Sequence, residues 1–290
     1  MIYRIQQGSL GLVYLELLKN LLELGSDQPI YRKGAATGPS NLTKELIGVQ
    51  LVLNDCRQNV IVHPIRNLNY RFMIAEWLWI MAGRDDVGSV AYYNSQIARY
   101  SDDGMTFAGA YGPRLKHQWE YLFATLQVDP TSRQAVASIW TPDPPPSADV
   151  PCTLNLQLLL RDDSLHGIFN MRSSDAWKGI PHDAFCFSQM VNYLAGALEV
   201  KPGSLIMNLG SSHLYQQDWE AAFNVVATPA DMATVRSPLA DVRAWPGSVV
   251  SNQILRGKEH FSGSPFWNLY DQALHSGSSA SCLKILKGEK

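Results

Sequence analysis

Two strand-length apolar runs, Leu154–Leu160 and Leu165–Met171, lie on either side of Arg161-Asp162-Asp163 and constrain this chain more than any other feature. Apolar runs of that length, broken by turn residues, read as successive strands. If they pair as a hairpin, the residues just outside them, Cys152 and Arg172, arrive at the same end. Gln134–Trp140 reads as a strand ahead of the pair, and Leu205–Leu209 as one behind it. Between the last two, Phe185–Leu198 has the small, apolar face of a buried helix. The sheet is therefore expected mostly from the second half of the chain.

The first half supplies helices. Leu10–Leu24 has leucines at helical spacing and ends at Gly25, a helix-stop signal. Ser40–Leu53 leads into a strand, Ile47–Leu53, with Asn54-Asp55 as its turn. Asn69–Met81 reads as a buried helix stopped by Gly83, and Tyr111–Leu126 as a helix beginning around Gly112-Pro113. Pro142–Pro146 is an exposed loop, because proline cannot join a central ladder. No repeat or low-complexity linker interrupts the chain. The expectation is one α/β domain over residues 1–290.

Composition narrows the function classes. Of 290 residues, 46% are hydrophobic and 17% charged, which suits a large core and excludes a disordered chain. A formal charge of −2 provides no basic field for a nucleic-acid polymer. It leaves room for the few local arginines that a mononucleotide phosphate needs. The four cysteines, Cys56, Cys152, Cys186 and Cys282, form no C-x-x-C pair, so neither a zinc site nor a disulfide framework is expected. Met1-Ile2-Tyr3-Arg4-Ile5-Gln6 has no apolar run behind a basic start, so no leader is expected. The most apolar stretch, Phe72–Ala82, is interrupted by Glu76 and falls short of the ~20 residues a membrane span needs. A reducing cytoplasm fits these features.

Two readings of Cys152 stand at this point. After Pro151 and at the start of a strand, it suits a small buried hydrophobe. With Arg172 at the same hairpin end, it also suits a nucleophile whose thiolate is stabilised by positive charge. The polar stretch Asn170–Asp183 lies between a strand and a helix, where α/β proteins place binding groups. Arg172 and Ser173 suit a phosphate, and Asp175 and Asp183 suit ring nitrogens or exocyclic amines. The plainer reading is a loop capping the next helix, with Asp183 as the cap.

Taken in order, the motifs resemble thymidylate synthase and its pyrimidine hydroxymethylase relatives. They are Pro151-Cys152, then Arg172-Ser173-x-Asp175-x-x-x-Gly179-x-Pro181-x-Asp183, then His213-x-Tyr215. Earlier segments follow the same order. Arg32-Lys33-Gly34 resembles a phosphate-binding arginine loop, and Ala75-Glu76-Trp77-Leu78-Trp79 the helix with the catalytic glutamate. Ala110-Tyr111-Gly112 resembles the active-site tyrosine segment, and Ser132-Arg133 an arginine donated across a dimer. The resemblance covers about residues 10–220 and implies a single domain whose mixed sheet lies at a homodimer interface, flanked by helices.

By resemblance, Cys152 attacks C6 of a pyrimidine nucleoside monophosphate, and C5 then takes a methylene from 5,10-methylenetetrahydrofolate, with no metal. Glu76 handles protons and a bound water, its pKa raised by its apolar helix. Tyr111 supports proton removal at C5. Arg32, Arg172 and a partner's Arg133 hold the phosphate, with Ser173 adding a hydrogen bond. His213 and Tyr215 meet the sugar. Asp175 faces the folate pterin, and Trp79 adds to that folate site.

The departures refine the resemblance. Asp183 stands where asparagine is usual in thymidylate synthases. A carboxylate repels O4 of uracil and accepts from the 4-amino group of cytosine, so cytidylate is the expected substrate. Gln134, Thr153, Met171 and Ser211 replace arginine, histidine, glutamine and aspartate. The final residues, Leu286–Lys290, lack the short apolar tail that seals the synthase site, and a wetter site favours water as the final nucleophile. Small Ala176 is expected to leave volume for a ribose 2′-hydroxyl, which favours CMP over dCMP and resembles the cytidylate hydroxymethylases of nucleoside-antibiotic biosynthesis. The rival readings are a dCMP hydroxymethylase serving modified DNA, a thymidylate synthase acting on dUMP, an inactive nucleotide-binding regulator, and a cysteine hydrolase using His166, His182 or His213.

Overall fold

A computed structural model describes residues 3–30, 42–144, 146–228, 235–240, 248–257 and 264–289. Its order is β1 (Tyr3–Gln7), α1 (Leu10–Leu24), β2 (Ser26–Pro29), β3 (Leu42–Leu53), α2 (Tyr70–Met81), α3 (Val87–Ala91), α4 (Tyr111–Lys116) and α5 (Trp119–Val128). Then follow β4 (Val136–Ser138), β5 (Thr153–Arg161), β6 (Ser164–Asp175), α6 (Ile180–Ala197), β7 (Lys201–Tyr215), α7 (Trp219–Ala227), α8 (Ser248–Arg256), α9 (Pro265–Leu274) and α10 (Ser279–Leu286). Among the described residues, no helix is long and apolar enough to cross a membrane.

The seven strands form one mixed sheet in the order β1-β3-β7-β6-β5-β4, with β2 also on β3. The expected hairpin is present: Asp162 and Asp163 both take positive φ, the geometry of a tight two-residue turn between twisted strands. Sheet alternation then sorts side chains to two faces. Leu156, Phe169, Met207 and Leu51 lie in register and are buried on the face covered by α1 and α6. On the opposite face, Asn155, Asn170, Asn208 and Gln50 are hydrogen-bonded in a row across four strands, at 2.7, 2.9 and 3.0 Å.

Helix α2 is buried along almost its whole length, and Arg71 and Glu76 are its only charged residues. Asn69 caps its start through Phe72 N at 3.0 Å. Gly83 ends it with φ +71°, and paired bonds from Gly83 N to Ile80 O and from Arg84 N to Trp79 O close the last turn. Gly25 ends α1 differently. Its backbone is extended, and glycine is needed because a Cβ would collide with the Leu21 carbonyl. Trp77 locks α2 to its neighbours by stacking on Trp267 at 5.7 Å and meeting Phe185 and Tyr270 edge-on.

Several expected boundaries move. β6 and β7 run on through Arg172–Asp175 and Gly210–Tyr215, polar sequences that read as loop but whose backbones continue the parallel ladder. The expected helix over 111–126 breaks at His117-Gln118, because the Gln118 side chain bonds Arg114 O and the Ser138 backbone of β4. α6 starts at Ile180, five residues early, with Pro181 in its first turn. Asp183 is therefore inside that turn and not a cap; the N-cap position is Gly179.

Candidate active site

Glu76 and Cys152 stand where three lobes of one cleft meet, of about 670, 610 and 200 Å³. Cys152 arrives from the strand side. Arg172 N donates to Cys152 O at 2.8 Å, which sets the two at one hairpin end as the sequence suggested. Glu76 arrives from buried α2 and Asp183 from the first turn of α6.

The largest lobe is lined by Arg172, Ser173, Asp175, His213 and Tyr215, with Arg99 and Lys178 adding positive charge. The Arg172 guanidinium bonds the carbonyls of Pro151 and Val150 at 2.9 and 3.0 Å and Ser173 Oγ at 3.1 Å. Ser173 Oγ in turn lies 4.0 Å from Cys152 Sγ. Asp175 and His213 face each other across β6 and β7, and the His213 and Tyr215 rings meet edge-on at 5.1 Å. Burial raises the Asp175 pKa and lowers that of His213. Asp175 Oδ1 also accepts from Trp177 N and Lys178 N, so it shapes the turn into α6.

The second lobe, between α2 and α6, contains Phe72, Ile97 and Trp177. The Arg66 guanidinium lies 4.0 Å over the Trp177 ring and donates to Trp177 O and to Tyr14 Oη. Its walls combine these apolar and aromatic side chains with Arg66 and Lys178 as cations and with Glu76, Asp175 and Asp183 as carboxyl groups. The third lobe is the driest, with Trp79, Phe107, Tyr111 and Phe187 around Cys152 and Asp183.

Electrostatics separate the ionisable groups. Burial, reinforced by Asp183, pushes the Glu76 carboxyl up to about 8. Burial, reinforced by Asp175, pushes Asp183 up to about 7. The Cys152 thiol is also raised, because burial outweighs the lowering effect of Arg172. The expected thiolate stabilisation by Arg172 is therefore present but insufficient: in the unliganded chain the sulfur keeps its proton until a base removes it. Tyr111 is raised well above its ordinary value by burial, and its hydroxyl accepts from Thr153 N and Oγ1 at 3.3 and 3.1 Å. Thr153, a departure at the sequence level, thus holds the tyrosine. Ser211 likewise donates to Glu45, so a carboxylate stands on β3 opposite His213.

Not every expected residue lines this cleft. Ala176 is completely buried in the core and lines none of the three lobes. Trp79 is 7% exposed, donates from Nε1 to Asp86 O and packs edge-on against Phe107, so it lines the dry lobe and not the Trp177 lobe. Arg133 is exposed and lines none of the three lobes. Arg32 lies outside the described residues. Sequence reasoning passed over Arg66, Arg99 and Cys186, and named His182 only as a possible base of the rival hydrolase reading. His182 lay inside the polar stretch already singled out, and its spacing of four from Cys186 on α6 was the available signal.

Residues 12–237 match the family model described as thymidylate synthase. The chain belongs to the thymidylate synthase family. It is 35% identical over 179 residues to the deoxyuridylate hydroxymethyltransferase of Bacillus phage SP01, covering 54% of this chain and 46% of that protein. It is 32% identical over 188 residues to the enzyme of the same name from Pseudomonas phage M6, covering 61% and 52%. A putative thymidylate synthase of Methanosarcina acetivorans is 32% identical over 132 residues, 43% of this chain and 61% of that one. The chain thus spans about half the length of the two phage relatives.

Proposed function

We propose that the chain transfers a hydroxymethyl group to C5 of cytidine monophosphate, with Cys152 as the covalent nucleophile at C6. The observation that carries this reading is Asp183: it replaces the family's asparagine, lies in the lobe that holds Cys152, and retains its proton up to about pH 7. A neutral carboxyl is complementary to cytosine. Its O–H donates to N3, and its carbonyl accepts from the 4-amino group. Adding sulfur to C6 pushes an electron pair onto N3, where the Asp183 proton can meet it.

Tyr111, anchored by Thr153, faces the C5 side, and Glu76 is the buried group able to exchange protons near neutral pH. 5,10-Methylenetetrahydrofolate supplies the methylene carbon when bound in the Arg66–Trp177 lobe, and tetrahydrofolate leaves. Asp175, which lines that lobe as well as the largest one, is proposed to meet the folate ring. Arg172 and Ser173 meet the phosphate together with Arg32, and His213 and Tyr215 meet the sugar. The ribose form is the one proposed. Ala176 can influence the sugar only through the backbone, where its N–H bonds His213 O at 2.8 Å.

Arg133 is proposed to complete the phosphate site of a second copy, because in its own chain it is exposed away from the cleft. The amide row on the open sheet face is the matching homodimer surface. A reducing cytoplasm would keep the four unpaired cysteines as thiols.

A second reading has its own support. The two phage relatives are named for deoxyuridylate, and a protonated Asp183 can also donate to O4 while accepting from N3–H. Incubation with methylenetetrahydrofolate and CMP, dCMP or dUMP in separate reactions decides between them. A CH2O mass gain on CMP is expected. A gain on dCMP alone would refute the ribose assignment, and a gain on dUMP alone the base assignment. Methylated dUMP with dihydrofolate would refute hydroxymethylation itself.

A further inference from the structure

Helix α6 presents two residues to Glu76 that the reaction outlined above leaves unused. His182 and Cys186 are four apart and so share a face of the helix. Cys186 Sγ lies 4.0 Å from Glu76 Oε2, and His182 Nδ1 lies 3.9 Å from the same oxygen. The histidine ring is held edge-on against Phe72 at 5.1 Å, and its Nδ1 is buried with no hydrogen-bond partner among the described residues. A buried ring nitrogen without a partner is costly. A gap of 3.9 Å is too long for a direct bond, yet one water can contact both atoms. His182 and Glu76 also line the same lobe as Cys152 and Asp183.

We infer that His182 is a positioning residue that, with Glu76, holds the water that becomes the hydroxyl of the product. The inference rests on the hydroxymethylation reading. In the step, the water oxygen bonds to the methylene carbon already attached to C5. The C=C pair moves into the ring as far as N3, which Asp183 protonates. One water proton passes to Glu76, whose own proton has already gone to the nitrogen of the departing tetrahydrofolate. Asp183 then takes the N3 proton back, the ring pair returns to form C4=N3 and C5=C6, the C6–S bond breaks, and Cys152 leaves as thiolate. Burial keeps the His182 ring neutral, with its pKa lowered to about 4, so it orients the water and leaves the proton to Glu76.

The test measures product formed per C5 proton released, using nucleotide tritiated at C5, with a small thiol present as a competing nucleophile. Wild type is expected to yield one hydroxymethyl group per tritium released. His182→Phe keeps an aromatic ring against Phe72 but cannot bind water, so hydroxymethyl product per tritium is expected to fall at least about tenfold, with the thiol adduct making up the difference. His182→Asn, which retains a hydrogen-bonding group, is expected to recover much of that ratio. Because the readout is a ratio, partial unfolding of a variant leaves it unchanged. An unaltered ratio in His182→Phe, or an equal fall in His182→Asn, overturns the inference. If wild type releases no tritium or forms a methyl product, the failure belongs to the hydroxymethylation reading instead.

Discussion

Replacing Glu76 by glutamine tests the electrostatics of the cleft without any substrate. The Glu76 carboxyl titrates near 4.5 in an unfolded chain and at about 8 in the fold, chiefly because it is buried and secondly because Asp183 faces it. A group whose pKa is raised by folding stabilises fully below its unfolded value, and that contribution drains away as pH rises through the folded value. The loss therefore runs from about pH 4.5 to about pH 8 and is flat above. At 1.36 kcal/mol per pH unit, the interval amounts to about 5 kcal/mol. The side chain keeps 24% of its accessible surface, so solvent screening cuts that to about 2–3 kcal/mol. Glutamine is close in shape to the protonated acid and cannot ionise. Urea unfolding followed by tryptophan fluorescence, at fixed protein concentration from pH 5 to pH 9, should show the two proteins nearly equal at pH 5. The glutamine variant should be more stable by about 2–3 kcal/mol at pH 9. Parallel curves across that range would refute the placement of Glu76 as a buried, proton-retaining acid.

Three further expectations complement it. Cys152→Ser should abolish turnover while nucleotide binding, measured by calorimetry, survives; residual turnover near wild type would remove the covalent step. Asp183→Asn should move the preference for cytidylate over uridylate towards uridylate by about a hundredfold in relative kcat/KM, and an unchanged preference would defeat the base-recognition argument. Arg133→Ala and Cys152→Ser should each be inactive alone yet regain activity when mixed, since one site of the mixed dimer would hold both residues. No recovery on mixing would place Arg133 elsewhere.

Part of the site was legible because its logic is local. A two-residue turn between apolar runs forces Cys152 and Arg172 to one hairpin end, and the Arg172 N to Cys152 O bond is the direct consequence. Glu76 stood out as a carboxylate in an apolar helix, and its raised pKa follows from the same feature. The other parts were not local. Ala176 looked available because small residues near binding motifs suggest space, but it is buried in the core just past the end of β6, with its N–H bonded to His213 O. Trp79 shares its helix with Glu76, yet its Nε1 bond to Asp86 O turns it towards the dry lobe.

The sequence by itself determined the hairpin, the buried α2 and the cap residues that bound it, the order of the motifs, and the carboxylate at 183 on which the proposed choice of base rests. Each depends on neighbours in the chain, where turn chemistry and apolar spacing act over a few residues. The tertiary structure alone decided which ionisable groups share one cleft and how far burial lifts Glu76, Asp183 and Cys152. It alone set Thr153 to hold Tyr111 and His182 to face Glu76 across 3.9 Å. Those relations join residues up to about a hundred positions apart, and desolvation exists only once the packed chain has removed the water.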